Sequence, residues 1–132
     1  MSPPELRVRG RWPPPDGPRV AVVGSRRPTP YGEAVAEELA LELARAGVVV
    51  ISGLALGIDA AAHRGALNAG GITVAVMGTG VDVIYPAAHS RLAQAIVDGG
   101  GALVSQFPDG TAPRRHNFPA RNYTMAALAD VV

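Results

Sequence analysis

Short apolar runs that alternate with helix-like segments constrain the fold of this chain more than any other feature. The four main runs are Val20–Val23, Val48–Ile51, Ile72–Met77 and Ala102–Val104. Continuous apolar runs are typical of strands buried on both faces, and strands that alternate with helices form parallel sheets covered by helices. The sequence therefore predicts an α/β fold, a three-layer sandwich in which a mostly parallel sheet carries helices on both faces.

The predicted helices lie between these runs and have recognisable ends. Thr29 is placed to cap the first helix, Pro30 occupies its first position, and Gly47 ends it. The later helices are predicted at about Ala60–Ala69, Ser90–Val97 and Pro119–Leu128.

The two ends of the chain differ from this regular middle. Residues 1–18 are rich in proline and are predicted to form an irregular extension that contains one short strand, Leu6–Arg9. Asp130–Val132 has the composition of the first residues of a fifth strand. With 132 residues and 48% hydrophobic content, residues 1–132 are expected to form a single domain around one core.

Composition also bounds the chemistry. The absence of cysteine excludes disulfides and thiolate metal sites, and the three histidines are not at ligand spacing, so no metal site is predicted. No apolar run approaches the roughly 18 residues that a membrane span needs, and no signal pattern opens the chain, so a cytoplasmic protein without a membrane partner is expected. The net charge of +1 does not identify a partner.

The loops that follow the strands are the expected binding region. In a parallel sheet these loops emerge on one edge, and ligands bind at the carboxyl ends of the strands. They are the segments GSRRPTP, SGLALGI, GTGVDVIYP and SQFPDGTAPRRHNFPARN. We refer to this edge as the rim.

The first rim loop, Gly24–Arg27, has the residue types that bind an anion. Gly24 lets backbone N–H groups approach a ligand, and the helix that follows supplies partial positive charge. Ser25, Arg26 and Arg27 carry groups that can hydrogen-bond phosphate oxygens. The alternative is a solvated turn whose arginines lie over the sheet.

The second rim loop contains Gly53 and Gly57 before the next helix. Gly57 and that helix start could hold a second phosphate, while Asp59 either caps the helix or orders the loop. His63 is expected to be a packed or surface histidine without a catalytic role.

The third rim loop contains Gly78 and Gly80, followed by Tyr85 on the same rim. The two glycines permit close approach of the backbone to a ligand, although a simple turn would also use them.

The last rim loop concentrates cations around one aromatic ring. Arg114, Arg115, His116 and Arg121 surround Phe118 in the sequence. Guanidinium groups beside an exposed ring suit single-stranded nucleic acid, because the backbone needs cations and a base can stack. A solvated loop anchored by Phe118 is the alternative. No catalytic triad, carboxylate pair or nucleophile elbow occurs, so catalytic residues and cofactors are not predicted.

Taken together, four segments resemble the Rossmann-like core of the DNA-processing protein A family, DprA or Smf. They are VAVVGSRRPTPYG, VVVISGLALGIDAAAHRGAL, GGITVAVMGTGVDVIYP and GALVSQFPDGTAPRRHNFPARN, and the resemblance extends from about Leu6 to the last residue. It implies a protein that is not an enzyme, binds and protects single-stranded DNA, and helps load the RecA recombinase during natural transformation.

The resemblance also implies roles for particular residues. Ser25 and Arg26 would hold a phosphate, and Gly24 and Gly53 would permit its approach. The path of the DNA strand would be lined by Phe118, Arg121 and Asn122.

This sequence departs from the family pattern at two rim positions and in its extent. Gln106 stands where family members usually have an acidic residue, and Tyr123 where they have arginine. The family core continues past the fifth strand, so the C-terminal part of that core is expected to be absent here. In the family, homodimer formation and RecA contact depend partly on that part.

Two other function classes share the predicted architecture. Arg121, Met125 and Asp130 resemble a pattern of the nucleotide-monophosphate phosphoribohydrolases, although those enzymes also need a later glycine-rich loop and a glutamate. A module that binds a nucleotide ligand without chemistry is the second alternative.

Overall fold

The computed structural model describes residues 5–132 and shows one mixed sheet with helices around it. The strands are β1 (Arg7–Gly10), β2 (Arg19–Ala21), β3 (Val49–Ser52), β4 (Thr73–Met77) and β5 (Ala102–Ser105). The helices are α1 (Pro30–Arg45), α2 (Ile58–Asn68), α3 (Ser90–Asp98) and α4 (Asn117–Leu128). A short 3-10 turn, Ala87–His89, precedes α3.

The sheet is mostly parallel, as predicted. Its order is β1-β5-β4-β3-β2, in which β2 to β5 run parallel and β1 pairs with β5 in the antiparallel direction. The predicted fifth strand of the parallel series is reduced to a bridge, in which Val131 lies beside Val20 at the β2 edge. The short strand predicted at Leu6–Arg9 is observed as β1.

Alternate strand residues divide between two apolar layers. Val50, Ala75 and Leu103 face the side that packs against α1, α2 and α3. Ile51, Val76 and Val104 face the other side, which packs against Met125 and Leu128 of α4. Because side chains of a strand alternate between faces, this pattern requires helices on both sides, and the three-layer α/β prediction is confirmed.

Local sequence explains the ends of α1. The Thr29 hydroxyl accepts a hydrogen bond of 3.0 Å from the backbone N of Gly32, and Pro30 begins the helix. After the last turn, Gly47 has a φ of +83°, a left-handed conformation that glycine adopts without steric cost. The predicted cap and stop residues are therefore confirmed.

Several predicted boundaries differ from the structure by a few residues. Helix α2 begins at Ile58, two residues before its predicted start, because the loop turns into the helix at Gly57. Strand β2 ends at Ala21 and Val23 is 47% exposed, because this strand lies near the open edge and is covered there only by the Val131 bridge. Helix α4 begins at Asn117, so Pro119 lies in its first turn, where a missing N–H leaves no hydrogen bond unmade. Residues 1–4 of the predicted extension lie outside the described residues.

No helix within residues 5–132 combines the length and the apolar character needed to cross a membrane. In the same part of the chain, no three histidine, aspartate or glutamate side chains come close enough together to form a metal site.

The contact between α1 and α2 depends on Gly65, and its replacement by alanine tests this packing. A Cβ there would collide with the backbone carbonyl of Glu37 and lie 3.1 Å from Ala40. In an open helix, Gly→Ala stabilises by about 1 kcal/mol, but here we expect the free energy of unfolding to fall by about 2 kcal/mol.

Chemical denaturation of Gly65→Ala measures this effect, with Gly32→Ala in α1 as the control. A Cβ at Gly32 would meet nothing nearer than the Thr29 hydroxyl at 3.3 Å, so we expect a change below about 1 kcal/mol. A Gly65→Ala protein more stable than the parent would contradict the packing described.

Candidate functional site

Two adjoining cavities open on the rim. A small cavity of about 40 Å³ is lined by Arg26, Gly53, Ala55, Leu56, Tyr85, Pro86 and Phe118. A cleft of about 470 Å³ is lined by Arg26, Tyr85, Pro113, Arg114, Arg115 and Phe118. Because the two share Arg26, Tyr85 and Phe118, they form one groove across the loops that follow β2, β3, β4 and β5.

Phe118 is the centre of this groove. Its ring centroid lies 5.3 Å from the guanidinium carbon of Arg26 and 5.3 Å from that of Arg121. The Tyr85 ring is 5.9 Å away and tilted by 47°. Such distances permit cation–π attraction, so the ring and the Arg26 guanidinium are held near each other at the surface of the groove.

Arg121 lies beneath the groove rather than in its wall. The side chain is 4% exposed, and its Nη1 donates hydrogen bonds to the carbonyl oxygens of Gly53 at 2.7 Å and Val76 at 3.1 Å. Its Nε donates to the Asn122 side-chain oxygen at 2.8 Å. The sequence placed Arg121 and Asn122 along a ligand path. In the structure Arg121 ties α4 to the ends of β3 and β4, whereas Asn122 is exposed and bonded to the Arg121 side chain.

Asp59 orders the second rim loop. Its carboxylate accepts a hydrogen bond of 3.0 Å from the backbone N of Gly53, and it does not cap α2, which begins after Gly57. Burial raises the pKa of Asp59, while the nearby charge of Arg121 acts in the opposite direction. Burial likewise lowers the pKa of Arg121. Of the two roles left open by the sequence, loop ordering is therefore the observed one.

The predicted glycines allow the rim loops to pack on one another. A Cβ on Gly53 would lie 2.7 Å from the Asp59 carboxylate, and a Cβ on Gly78 would lie 2.8 Å from the Phe118 ring. A Cβ on Gly24 would lie 2.8 Å from the Ile58 side chain. Each position thus has a protein neighbour where the sequence suggested room for a ligand.

Gly57 and Gly80 also lie where a side chain would collide with a neighbouring part of the rim. Gly57 has a φ of +80°, and a Cβ there would collide with the Ser25 carbonyl oxygen, which accepts a hydrogen bond of 3.1 Å from the backbone N of Ile58. A Cβ on Gly80 would lie 2.6 Å from the Asp82 carboxylate, away from both cavities.

The arginines of the first rim loop separate in space. Arg26 lines both cavities, whereas Arg27 is exposed and lines neither. The Ser25 hydroxyl accepts a hydrogen bond of 3.0 Å from the backbone N of Arg27, and Ser25 also lines neither cavity. The structure therefore brings together Arg26, Arg114, Arg115 and Phe118.

Sequence reasoning missed four wall residues, Ala55, Leu56, Pro86 and Pro113. Leu56 is 50% exposed, and a large apolar residue in an otherwise small-residue rim loop is the signal that could have identified it. Pro113 had no comparable signal.

Two histidines hold the loop that carries Leu56. Leu54 has a φ of +62°, which is costly for a residue with a side chain. Its backbone N donates to His63 Nε2 at 3.2 Å, and its carbonyl oxygen accepts from His89 Nδ1 at 2.8 Å. These two hydrogen bonds keep the left-handed turn in place.

The hydrogen bonds of His63 require its neutral form. Its Nδ1 lies 2.7 Å from the Thr73 hydroxyl, which already donates its only hydrogen to the Val50 carbonyl, so Nδ1 must carry a proton. Nε2 accepts from Leu54 and must therefore be unprotonated. Burial lowers the pKa of His63 to about 3, in agreement with this arrangement. His63 is a packed histidine, as expected.

This arrangement predicts that stability falls as the pH is lowered. In the unfolded chain His63 titrates near 6.5 and in the folded chain near 3, so between these values the unfolded state binds more protons. We expect this residue to lower the free energy of unfolding by roughly 1.4 kcal/mol per pH unit below pH 6.5.

Denaturation at pH 4, 5, 6 and 7 of the parent and of His63→Gln measures that contribution. The carboxylates contribute equally to both proteins, so the difference in slope reports His63. Equal slopes for the two proteins would contradict the neutral, buried assignment.

Comparison with known proteins gives a consistent result. The family model "DNA recombination-mediator protein A" matches residues 1–132. A DNA processing protein DprA of Mycobacterium tuberculosis is 52% identical over 109 residues, which cover 83% of this chain and 28% of that protein. The chain thus spans less than a third of that relative.

Two solved structures share the fold. The X-ray structure of DprA from Streptococcus pneumoniae matches with a TM-score of 0.85 and 42% identity over 94% of this chain and 43% of that chain. DNA processing protein A from Helicobacter pylori, described by its single-stranded DNA binding mode, matches with a TM-score of 0.85 and 35% identity over 98% of this chain and 59% of that chain. By sequence, by fold and by the match of its whole length, the chain belongs to the DNA recombination-mediator protein A family.

Proposed function

We propose that this chain binds single-stranded DNA in the groove centred on Phe118. The observation that carries the proposal is the pairing of a partly exposed aromatic ring with the Arg26 guanidinium 5.3 Å from its centroid, in a cleft that Arg114 and Arg115 also line. A base can stack on such a ring while the cations meet phosphates of the same strand. The related H. pylori protein binds single-stranded DNA, which supports the proposal.

The predicted site residues then have two kinds of role. Arg26, Arg114, Arg115 and Phe118 contact the strand. Arg121 acts from below by tying α4, the helix that carries Phe118, to the strand ends, and Gly53 and Gly78 permit that packing. Asn122 is exposed beside Arg121 and is free to contact the strand. Arg27 and Ser25 lie at the margin, where they can contact phosphates outside the two cavities.

The wider role follows from the resemblance and from the family description. We propose that the bound strand is passed on without a chemical step to a recombinase of the RecA type, during DNA uptake and natural transformation in the cytoplasm. The family description as a recombination mediator supports this. The proposal includes the formation of homodimers and treats residues 5–132 as one DNA-binding unit.

The binding proposal predicts the behaviour of an Arg26→Ala variant. Removing this guanidinium eliminates a phosphate contact and a cation–π partner of Phe118, so affinity for a labelled oligothymidylate should fall at least about tenfold. Fluorescence anisotropy at two salt concentrations measures the loss. Arg45→Ala, at the far end of α1, is the control and should bind like the parent.

Phe118 variants separate stacking from charge. Phe118→Leu keeps apolar packing against Gly78 but removes the ring, and stacking is worth about 1–3 kcal/mol per base. We expect weaker binding with an unchanged salt dependence, and recovery in Phe118→Tyr.

The alternatives give different results in the same assay. A module for a nucleotide ligand would bind a mononucleotide and ignore the oligomer, and a phosphoribohydrolase would release free base from a nucleoside monophosphate. Either result, or equal affinity for duplex and single strand, would contradict the proposed function.

A further inference from the structure

We propose that the DNA strand continues from the groove onto the edge of the sheet, along a track formed by Arg7, Arg9 and Arg91. This inference rests on the proposed function and extends its site to a surface outside both cavities. We call these three residues the arginine track. All three side chains are exposed.

Strand register places the start of the track at the rim. Arg7 pairs with Ser105, the last residue of β5, and Arg9 pairs with Leu103. Because β1 runs antiparallel to β5, Arg7 is the end nearest the rim. The loop that carries Arg114 and Arg115 begins directly after Ser105, and Arg7 contacts its first residue, Gln106, so the track starts beside the loop that forms one wall of the groove.

One side-chain contact, together with helix and strand geometry, shows which face of the sheet the track occupies. Arg9 Nη2 donates to the side-chain oxygen of Gln94 in α3 at 2.8 Å. Arg91 lies one helical turn nearer the rim than Gln94 on the same face of α3, because residues three apart on a helix are neighbours. Arg7 and Arg9 share a strand face, since strand side chains alternate. The three guanidinium groups therefore border the junction between β1 and α3.

The charges of the track are available to a ligand. Among residues 5–132 the ion pairs join only Arg45 with Glu42 and Arg64 with Glu33. Arg7 donates to the Gln106 carbonyl oxygen at 3.4 Å and Arg9 to an uncharged amide, so each keeps its charge and most of its five donors.

Acidic groups lie at the two ends of the track. Asp98, one turn farther from the rim, accepts a hydrogen bond of 2.8 Å from Gln94, and Glu5 precedes Arg7 by two residues. The three cations therefore lie between these two acidic groups.

The spacing suits an extended single strand. Residues two apart in a strand are about 6.8 Å apart, so Arg7 and Arg9 can meet successive phosphates of an extended backbone. Only β5 separates β1 from β4, and Phe118 of α4 packs on Gly78 directly after β4, so about 10 Å of sheet lies between Phe118 and the track. A few nucleotides cover that distance, which makes phosphates of single-stranded DNA the occupant that the charge and spacing favour.

The test compares a thymidine dinucleotide with an oligothymidylate of about 20 nucleotides, because a dinucleotide seated on Phe118 is too short to reach Arg7 and Arg9 as well. We expect Arg7→Gln/Arg9→Gln to bind the long oligomer roughly tenfold more weakly and the short one like the parent. Its slope of log affinity against log salt should be smaller by about 1.4, which corresponds to two lost phosphate contacts.

The matched control is Arg45→Gln/Arg64→Gln, which removes the same charge from the α1–α2 side and should bind both oligomers like the parent. Thermal unfolding confirms that both double variants are folded.

The track would be overturned if both double variants lost the same affinity, or if Arg7→Gln/Arg9→Gln lost affinity equally for both lengths or not at all. It would also be overturned if polyglutamate competed for the protein as well as the oligothymidylate does. Arg26→Ala separates the two proposals. If Arg26→Ala weakens binding while Arg7→Gln/Arg9→Gln binds like the parent, the groove is supported and the track is overturned. If the parent binds neither oligomer, the proposed function fails and the track fails with it.

Discussion

The buried guanidinium of Arg121 is the interaction on which the site depends. Helix α4 crosses the face of the sheet opposite the other helices, and Arg121 joins it to the carbonyl oxygens of Gly53 and Val76 at the ends of two central strands. Removing a charge from water is expensive, and this cost is offset only where hydrogen bonds satisfy the buried group. Within residues 5–132 no buried side-chain nitrogen or oxygen lacks a partner. The position of Phe118 above the strand ends follows from this attachment.

The rest of the rim is assembled around that attachment by close packing. Gly78 lies under the Phe118 ring, and Gly53 fits between Asp59 and Arg121. The left-handed turn at Leu54 is retained because two histidines hydrogen-bond its N–H and its carbonyl. Packing of this kind fixes the Phe118 ring in advance, which lowers the entropic cost of the proposed stacking contact.

Much of the fold could be predicted from the sequence because apolar runs and helix caps are local signals. The helix order, the cap at Thr29 and the parallel sheet all follow from residues close together in the chain. The site was predicted less completely. Arg121 looked like a surface ligand because its burial depends on Gly53 and Val76, which are distant in sequence. The glycines pointed to a ligand because a loop sequence does not reveal which neighbouring loop will occupy the space. The shortened β2 depended on the sheet order, which local patterns do not specify.

The most direct test of the central claim is a titration of the isotope-labelled protein with an oligothymidylate, followed by backbone amide chemical shifts in NMR. The account predicts that the largest changes occur on the rim, at Arg26, Gly78, Arg114 and Phe118, and then decrease towards the opposite edge of the sheet. Changes centred instead on the connectors at Gly47, Gly70 and Gly100, at that opposite edge, would contradict the assignment of the rim as the DNA-binding surface.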